Sequence, residues 1–479
     1  MSARGSSGRH AARARPHQPG RDDGPAGPVP GEALPRDPTA RRPCRRRRAR
    51  ARPQRMERGV DVTLAYGSGG LVATVPDDAH VVLPTDLPGL DDERDAITQA
   101  LRAPHAGPPL GKIIDATCRV AVVFPDITRP MPNRTVLPPL LDELTRLGVG
   151  PDRVSLLCAN GSHRLATSDE MAALIGPDLV SRYRVHDHAA TDPDHVDVGR
   201  VDGVPVRIDR RYVEADVRIV TGFVEPHFFA GFSGGPKAVC PGLAALETIL
   251  EAHSPRRIAD PRATWTVTEG NPVHDFVRAA TALAPPALSL DVAINNARQV
   301  TAVFAGTLPD AHRAACAFVE RTAVQRVPHR FDVVLSTNSG HPLDRNLYQA
   351  VKGMAAAERV VARGGTIVMA AACADGLPAE GGFGRLLAEA RSPDDLVSPH
   401  ATPELDRWEA QVLGRVLQRA RVQLRTDGLS DDEVRAAHLE PVADVTEAVA
   451  RAVHAAGPRA SVCVLPLGPL TVATPVGRA

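Results

Sequence analysis

The chain has 479 residues, 43% hydrophobic, 24% charged and only 3% aromatic, with 39 glycines and 44 prolines. At about 100–200 residues per domain this length allows two or three domains, and it excludes a disulfide-stapled mini-protein. The net charge of +1 is a balance of opposites: residues 1–55 carry 15 Arg against four acids, while the remainder carries 42 Lys and Arg against 52 Asp and Glu, which excludes nucleic acid as the main partner of the acidic body.

Residues 1–55 mix Arg, Pro, Gly and Ala without hydrophobic period and include the run Arg45 to Arg48. Such a segment cannot bury a core and is expected to be disordered. It reads either as a basic nucleic-acid tail or as the product of a misplaced start. The second reading is preferred, with translation beginning at Met56, because the strand-like run Val60 to Gly67 follows at once. From there short Val/Ile/Leu-rich runs at 119–124, 154–158, 217–221, 333–336 and 366–369 alternate with helical patterns. Continuous apolar runs of this kind predict buried parallel strands and an α/β fold. Polar clusters follow most of them, where open α/β sheets hold their ligands.

The first cluster, Asp126-Ile127-Thr128-Arg129-Pro130, offers a carboxylate, a hydroxyl and a guanidinium within four residues, suited to a phosphate or carboxylate ligand. An Asx-type turn with a solvated Arg is the plain alternative. Asn160-Gly-Ser-His163-Arg164 follows the next strand, and a loop histidine at a strand end points to catalysis. The densest segment, Gly222 to Gly242, holds five Gly, four of the ten Phe and one of only three lysines, Lys112, Lys237 and Lys352, beside 54 Arg. An amine can lose its proton and bond to a carbonyl or thiocarbonyl carbon, whereas a guanidinium cannot. Lys237 therefore reads as a nucleophile in a water-poor pocket, against the alternative of a tight turn with a hydrophobic plug. Gly231-Phe-Ser233-Gly-Gly235 also matches the nucleophile elbow of serine hydrolases, although Pro226 interrupts the strand that an elbow needs. His253 reads equally as a metal ligand or a helix-end histidine.

A domain boundary is expected near 322–330, giving domains 56–325 and 326–460. In the second, Gln349 and Lys352 share one helix face and can together grip a carboxylate and a hydroxyl. Residues 461–479 begin with the strand-like Ser461 to Leu465, expected to return to the N-terminal domain. The seven cysteines are scattered, odd in number and lack a Cys-x-x-Cys pair, which fits a reducing compartment. No apolar run approaches the ~20 residues of a membrane span, and the start lacks a signal-peptide core. A cytoplasmic protein without membrane contact is expected.

Taken in order, Asp126-x-Thr-Arg-Pro, Asn160-Gly-x-His-Arg, Pro226-His-Phe-x-Ala-Gly-x-Ser-Gly-Gly-x-Lys and Gln349-x-x-Lys-Gly resemble the lactate racemase family of nickel-pincer-nucleotide enzymes, from about residue 60 to the end. The resemblance implies two α/β domains with largely parallel sheets and the active site in the interdomain cleft. It implies a pyridinium-3,5-bisthiocarboxylic acid mononucleotide-type pincer bound covalently at Lys237, with nickel completed by His253. Asp126, Ile127, Thr128 and Arg129 would contact the nucleotide, and His163 and His227 would be the acid/base pair. Gln349, Lys352 and Arg129 would bind substrate, with Trp408 nearby. The implied partners are a small 2-hydroxy acid, lactate by default, and cofactor-maturation proteins. The alternatives are a nickel- or nucleotide-binding paralogue that racemises nothing, which would need no base on either face, and a serine hydrolase using Ser233. The chemistry suits the set: the C2 proton of a hydroxy acid is barely acidic, so inversion is easier through hydride removal with histidines moving the hydroxyl proton.

Overall fold

The computed structural model describes residues 59–378 and 381–476. The Arg-rich segment 1–55 and the start at Met56 lie outside the described residues. Two six-stranded sheets are built from β1 (His80–Val81), β2 (Val120–Pro125), β3 (Val154–Ala159), β4 (Arg184–Asp187), β5 (Val217–Phe223), β6 (Leu288–Ile294), β7 (Val300–Gly306), β8 (Phe331–Thr337), β9 (Val361–Ala370), β10 (Arg421–Arg425), β11 (Glu440–Pro441) and β12 (Val462–Leu465). The first has the order β7-β6-β5-β2-β3-β4 and the second β11-β10-β9-β8-β12-β1. All neighbours run parallel except the β6–β7 pair, so the expected α/β architecture with largely parallel sheets is what forms.

The apolar runs become strands because both of their faces are covered. Val120, Val122 and Phe124 of β2 pack in one core with Leu137 and Leu140 of helix Asn133–Arg146, while Ala121 and Val123 pack in another with Phe276 and Val277 of helix Pro272–Leu283. Burying such side chains contributes about 1.5–3 kcal/mol each, which fixes the strand ends and hence the loops. In the first sheet the chain steps outward from β2 to β4, then crosses to β5 on the other side of β2. In the second it steps from β8 to β11, then crosses to β12 on the other side of β8. Each reversal opens a crevice beyond the carboxyl ends of its strands, and the functional loops lie there.

Two expected boundaries are corrected. The terminal strand β12 does not return to the N-terminal domain; it lies inside the second sheet between β8 and β1. Its four residues are all buried, and an inner position between two parallel neighbours covers both their edges and faces. The start of the chain also crosses over. Hairpin Gly59–Leu64/Leu71–Pro76 places Leu64, Ala73 and Val75 against Val333, Leu335 and Val368 of the second sheet, so the segment before residue 82 is part of the C-terminal domain. Only Val472–Pro475 approaches the boundary, parallel to Val324–Val327. Among the described residues no helix is long and apolar enough to cross a membrane.

Candidate active site

The loop after β2 presents Asp126, buried at 3% exposure. Its carboxylate accepts from the Thr128 hydroxyl at 2.9 Å and from His163 Nδ1 at 2.8 Å. Burial alone would raise the Asp126 pKa, but the charge and hydrogen bond of His163, with Arg129 and Thr128, outweigh it and hold the carboxyl below its usual value. His163 comes from the loop after β3, which is locked by Asn160, whose amide donates to Asp187 and to the His188 carbonyl. Since Nδ1 of His163 donates to a carboxylate, its Nε2 is the acceptor left for chemistry. Arg129 lines the same cleft, and Ile127, half-buried between them, does not.

Near its end β5 passes through Gly222, and the chain returns at Gly234, so close that a Cβ at Gly222 would stand 2.3 Å from the Asp291 carboxylate and 3.1 Å from the Gly234 backbone. Asp291, fully buried in β6, accepts from the Gly235 amide at 2.9 Å, and His312 Nε2 donates to the Ser233 carbonyl at 2.8 Å. These contacts set the turn Gly235–Ala238 that carries Lys237. Burial, then the charge of Arg129, brings the Lys237 amine down to about 7. Its Nζ is 3.5 Å from Nε2 of His227. Nδ1 of His227 accepts from the Ala230 amide at 3.3 Å, which assigns its ring proton to Nε2. Burial and the charges of Lys237, Arg129 and Lys352 keep its pKa well below the usual histidine value. The Ser233 hydroxyl, by contrast, donates to the Phe223 carbonyl and accepts from the Glu225 amide. It clasps the loop, and this arrangement disfavours the hydrolase reading.

His253 ends α1 (Leu246–Ala252). Its Nδ1 donates to the Ile249 carbonyl at 2.9 Å, leaving Nε2 unprotonated toward the cleft, and burial followed by Lys237 lowers its pKa to about 3. That is the neutral, oriented imidazole a metal needs. The second domain supplies α2 (Leu347–Glu358), capped by Asn346, whose side chain accepts from the Gln349 amide. Gly353 lets α2 lie on β8: a Cβ there would be 2.1 Å from the Thr337 carbonyl. Lys352 Nζ donates to Gln349 Oε1 at 2.6 Å. From α3 (Arg407–Arg419) come Trp408, whose ring centre is 5.0 Å from that of His253 and whose Nε1 donates to Tyr348, and Glu409, 1% exposed with Oε1 unpartnered. Burial raises Glu409 and lowers Lys352, each opposed by the other's charge.

These residues line one open cleft of about 1000 Å³ between the two sheets. Thr128 borders its inner end. Among the described residues no three His, Cys, Asp or Glu side chains gather to hold a metal by themselves, so a metal on His253 would need its other ligands from an organic group. A neutral-prone amine at Lys237, a free imidazole nitrogen at His253 and loops that tolerate no Cβ fit a covalently held pincer nucleotide with nickel. Asp291, His312, Tyr348 and Glu409 escaped sequence reading. Of these, Asp291 had a signal, a lone acid in the apolar run Leu288 to Ile294.

Residues 66–266 match the model of the lactate racemase N-terminal domain, and residues 327–472 that of the lactate racemase C-terminal domain. The chain belongs to the lactate racemase family. It is 34% identical over 401 residues to lactate racemase from Thermoanaerobacterium thermosaccharolyticum, covering 81% of this chain and 93% of the relative. With lactate racemase from Lactiplantibacillus plantarum it shares 35% over 385 residues, 78% and 90% of the two chains. The solved structure of the T. thermosaccharolyticum apoprotein superposes with a TM-score of 0.81 at 33% identity, covering 86% of this chain and all of that one. A crystal structure of a Thermotoga maritima protein, 18% identical over 82% of this chain and all of its own, shares the fold at a TM-score of 0.61. Members of this family are isomerases, and this chain is an enzyme of that class.

Proposed function

We propose that this isomerase inverts C2 of a small 2-hydroxy acid, lactate first among them, with a nickel-pincer nucleotide on Lys237 and His253 and with His163 and His227 as its proton-handling pair. The observation that carries the reading is the pairing of two differently tethered histidines in one cleft with a buried, easily deprotonated lysine. When bound, the group supplies acceptance and return of a hydride at C2. The chain is left to manage the proton, the carboxylate and water.

In the free protein the two histidines are in complementary states. His163 presents a lone pair at Nε2, backed by the Asp126 carboxylate, which stabilises the imidazolium formed when it takes the hydroxyl proton. His227 presents an N–H at Nε2 to hydrogen-bond the C2 oxygen; to act as the acid on the opposite stroke it must first take up a second proton, because only the imidazolium can give one and be left neutral. Inversion in the other direction exchanges the roles. Arg129 and Lys352 bind the carboxylate, and Gln349, with its oxygen taken by Lys352, offers its amide N–H groups. Phe228, Phe229 and Trp408 keep water from the reacting carbon. Maturation proteins would supply the cofactor.

The test is the intact mass and nickel content of protein co-produced with maturation proteins, followed by chiral assay of hydroxy acids. A nucleotide-sized adduct at Lys237 with inversion is expected. A fully loaded protein that inverts no hydroxy acid overturns the reading in favour of a non-racemising binder.

A further inference from the structure

The cleft and two neighbouring cavities share lining residues in series. The main chamber of the cleft opens beside the loop Asn160–His163 on the β3 flank of the first sheet. Inward it narrows to a space of about 490 Å³ that shares Arg129, His227, Phe228, Gln349 and Lys352 with the chamber. This neck in turn shares Pro130, Glu225, Pro226, Leu343 and Leu470 with an outer cavity of about 1030 Å³. The outer cavity reaches exposed Asp86, Asn296, Arg298 and His341 on the β6 flank. The neck therefore passes over both strand reversals, between the loops after β2 and β5 on one side and those after β8 and β12 on the other.

A covalent nucleotide on Lys237, contacting the loops after β2 and β3, fills the chamber at the β3 mouth. That premise rests on the function proposed above. We infer that the hydroxy acid enters by the opposite mouth, through the neck between Pro226 and Leu470, and that this neck selects short-chain acids. Its walls are stiff. Pro226 is paired within the short hairpin Pro226–His227/Gly231–Phe232, and Leu470 ends a turn whose Gly468 abuts the Thr337 carbonyl. Its outer part, shared with the outer cavity, has Pro130, Pro226, Leu343 and Leu470 as an apolar wall that suits a short apolar side chain, beside Glu225, and its inner part carries Arg129 and Lys352, which attract the carboxylate inward. The acid arrives at His227 and Lys352 without displacing the nucleotide.

The test uses loaded enzyme, with loading checked by intact mass. In the double variant Leu343→Phe/Leu470→Phe, association of 2-hydroxypropanoate, followed by quenching of tryptophan fluorescence, should slow by about tenfold. Dissociation should slow alike, leaving Kd unchanged, whereas altered binding contacts would move Kd. Leu470→Ala, which adds no bulk and serves if the double variant does not fold, should speed association of 2-hydroxyoctanoate by a similar factor of about ten. Unchanged association rates in loaded, folded variants overturn the passage, whether or not the wild type inverts the acid. A wild type that binds the acid and inverts nothing fails the racemase reading alone, and the rate ratio still decides the passage. A loaded wild type that binds no hydroxy acid overturns both.

Discussion

Burial and the Arg129 charge bring the Lys237 amine down to about 7. In the apoprotein, modification of Lys237 by an amine-directed reagent should rise with pH and be half-maximal near pH 7; peptide mass mapping across a pH series checks this. Asp126→Asn removes the charge that steadies a protonated His163. We expect kcat to fall by about 10²-fold with cofactor loading intact, read by chiral assay beside intact mass. Buried His274 has its pKa lowered to about 3, first by burial and then by His312. Its folded pKa lies below the unfolded one, so its contribution to stability is present above about pH 6.5 and is lost as pH falls toward 3, at up to about 1.4 kcal/mol per pH unit. His274→Gln should flatten the acid limb of a plot of Tm against pH. The lysines were legible in the sequence because there are only three of them, and the loop histidines because they follow strand ends. Tyr348 and Glu409 were not, because an aromatic and an acid beside apolar helix positions look like any amphipathic helix until the opposite domain is in place.

The elements carry the site through their ends. Asn346 caps α2 nearly two turns before Lys352, and its side chain fixes the Gln349 amide. Asn346→Ala should cost about 1 kcal/mol of stability, seen as a lower denaturant midpoint. It should also raise KM for the hydroxy acid more than it lowers kcat, because Gln349 and Lys352 lose their fixed start. Strands were the legible elements: a run such as Val120 to Phe124 has no polar face to turn toward water, so it must be covered on both sides. The turn Gly235–Ala238 was legible as glycine-rich but not as to its shape. That shape comes from Asp291 and His312, which are 56 and 77 residues beyond Gly235 and are brought to it only by the sheet and by helix Asp310–Ala323.

At the scale of the whole molecule the start of the chain belongs to the second sheet and the last sheet strand stays there, which no local pattern could reveal: the hairpin from Gly59 to Pro76 is as well patterned for one sheet as for the other. Leu64 is fully buried against the second sheet. Leu64→Ala should therefore destabilise the protein by about 2–5 kcal/mol, measured by chemical unfolding, and should disturb the half bearing Gln349 and Lys352 more than the half bearing Lys237. The placement of β12 matters for how the polypeptide is made. β1 pairs only with β12, so among the described strands one of the first synthesised waits for one of the last. The first sheet closes within residues 120–306 and can form while the rest is still on the ribosome. The half that bears Lys237 and His253 is then complete before the half that bears Gln349 and Lys352, so in a nascent chain the Lys237 side of the cleft stands open before the second sheet narrows it.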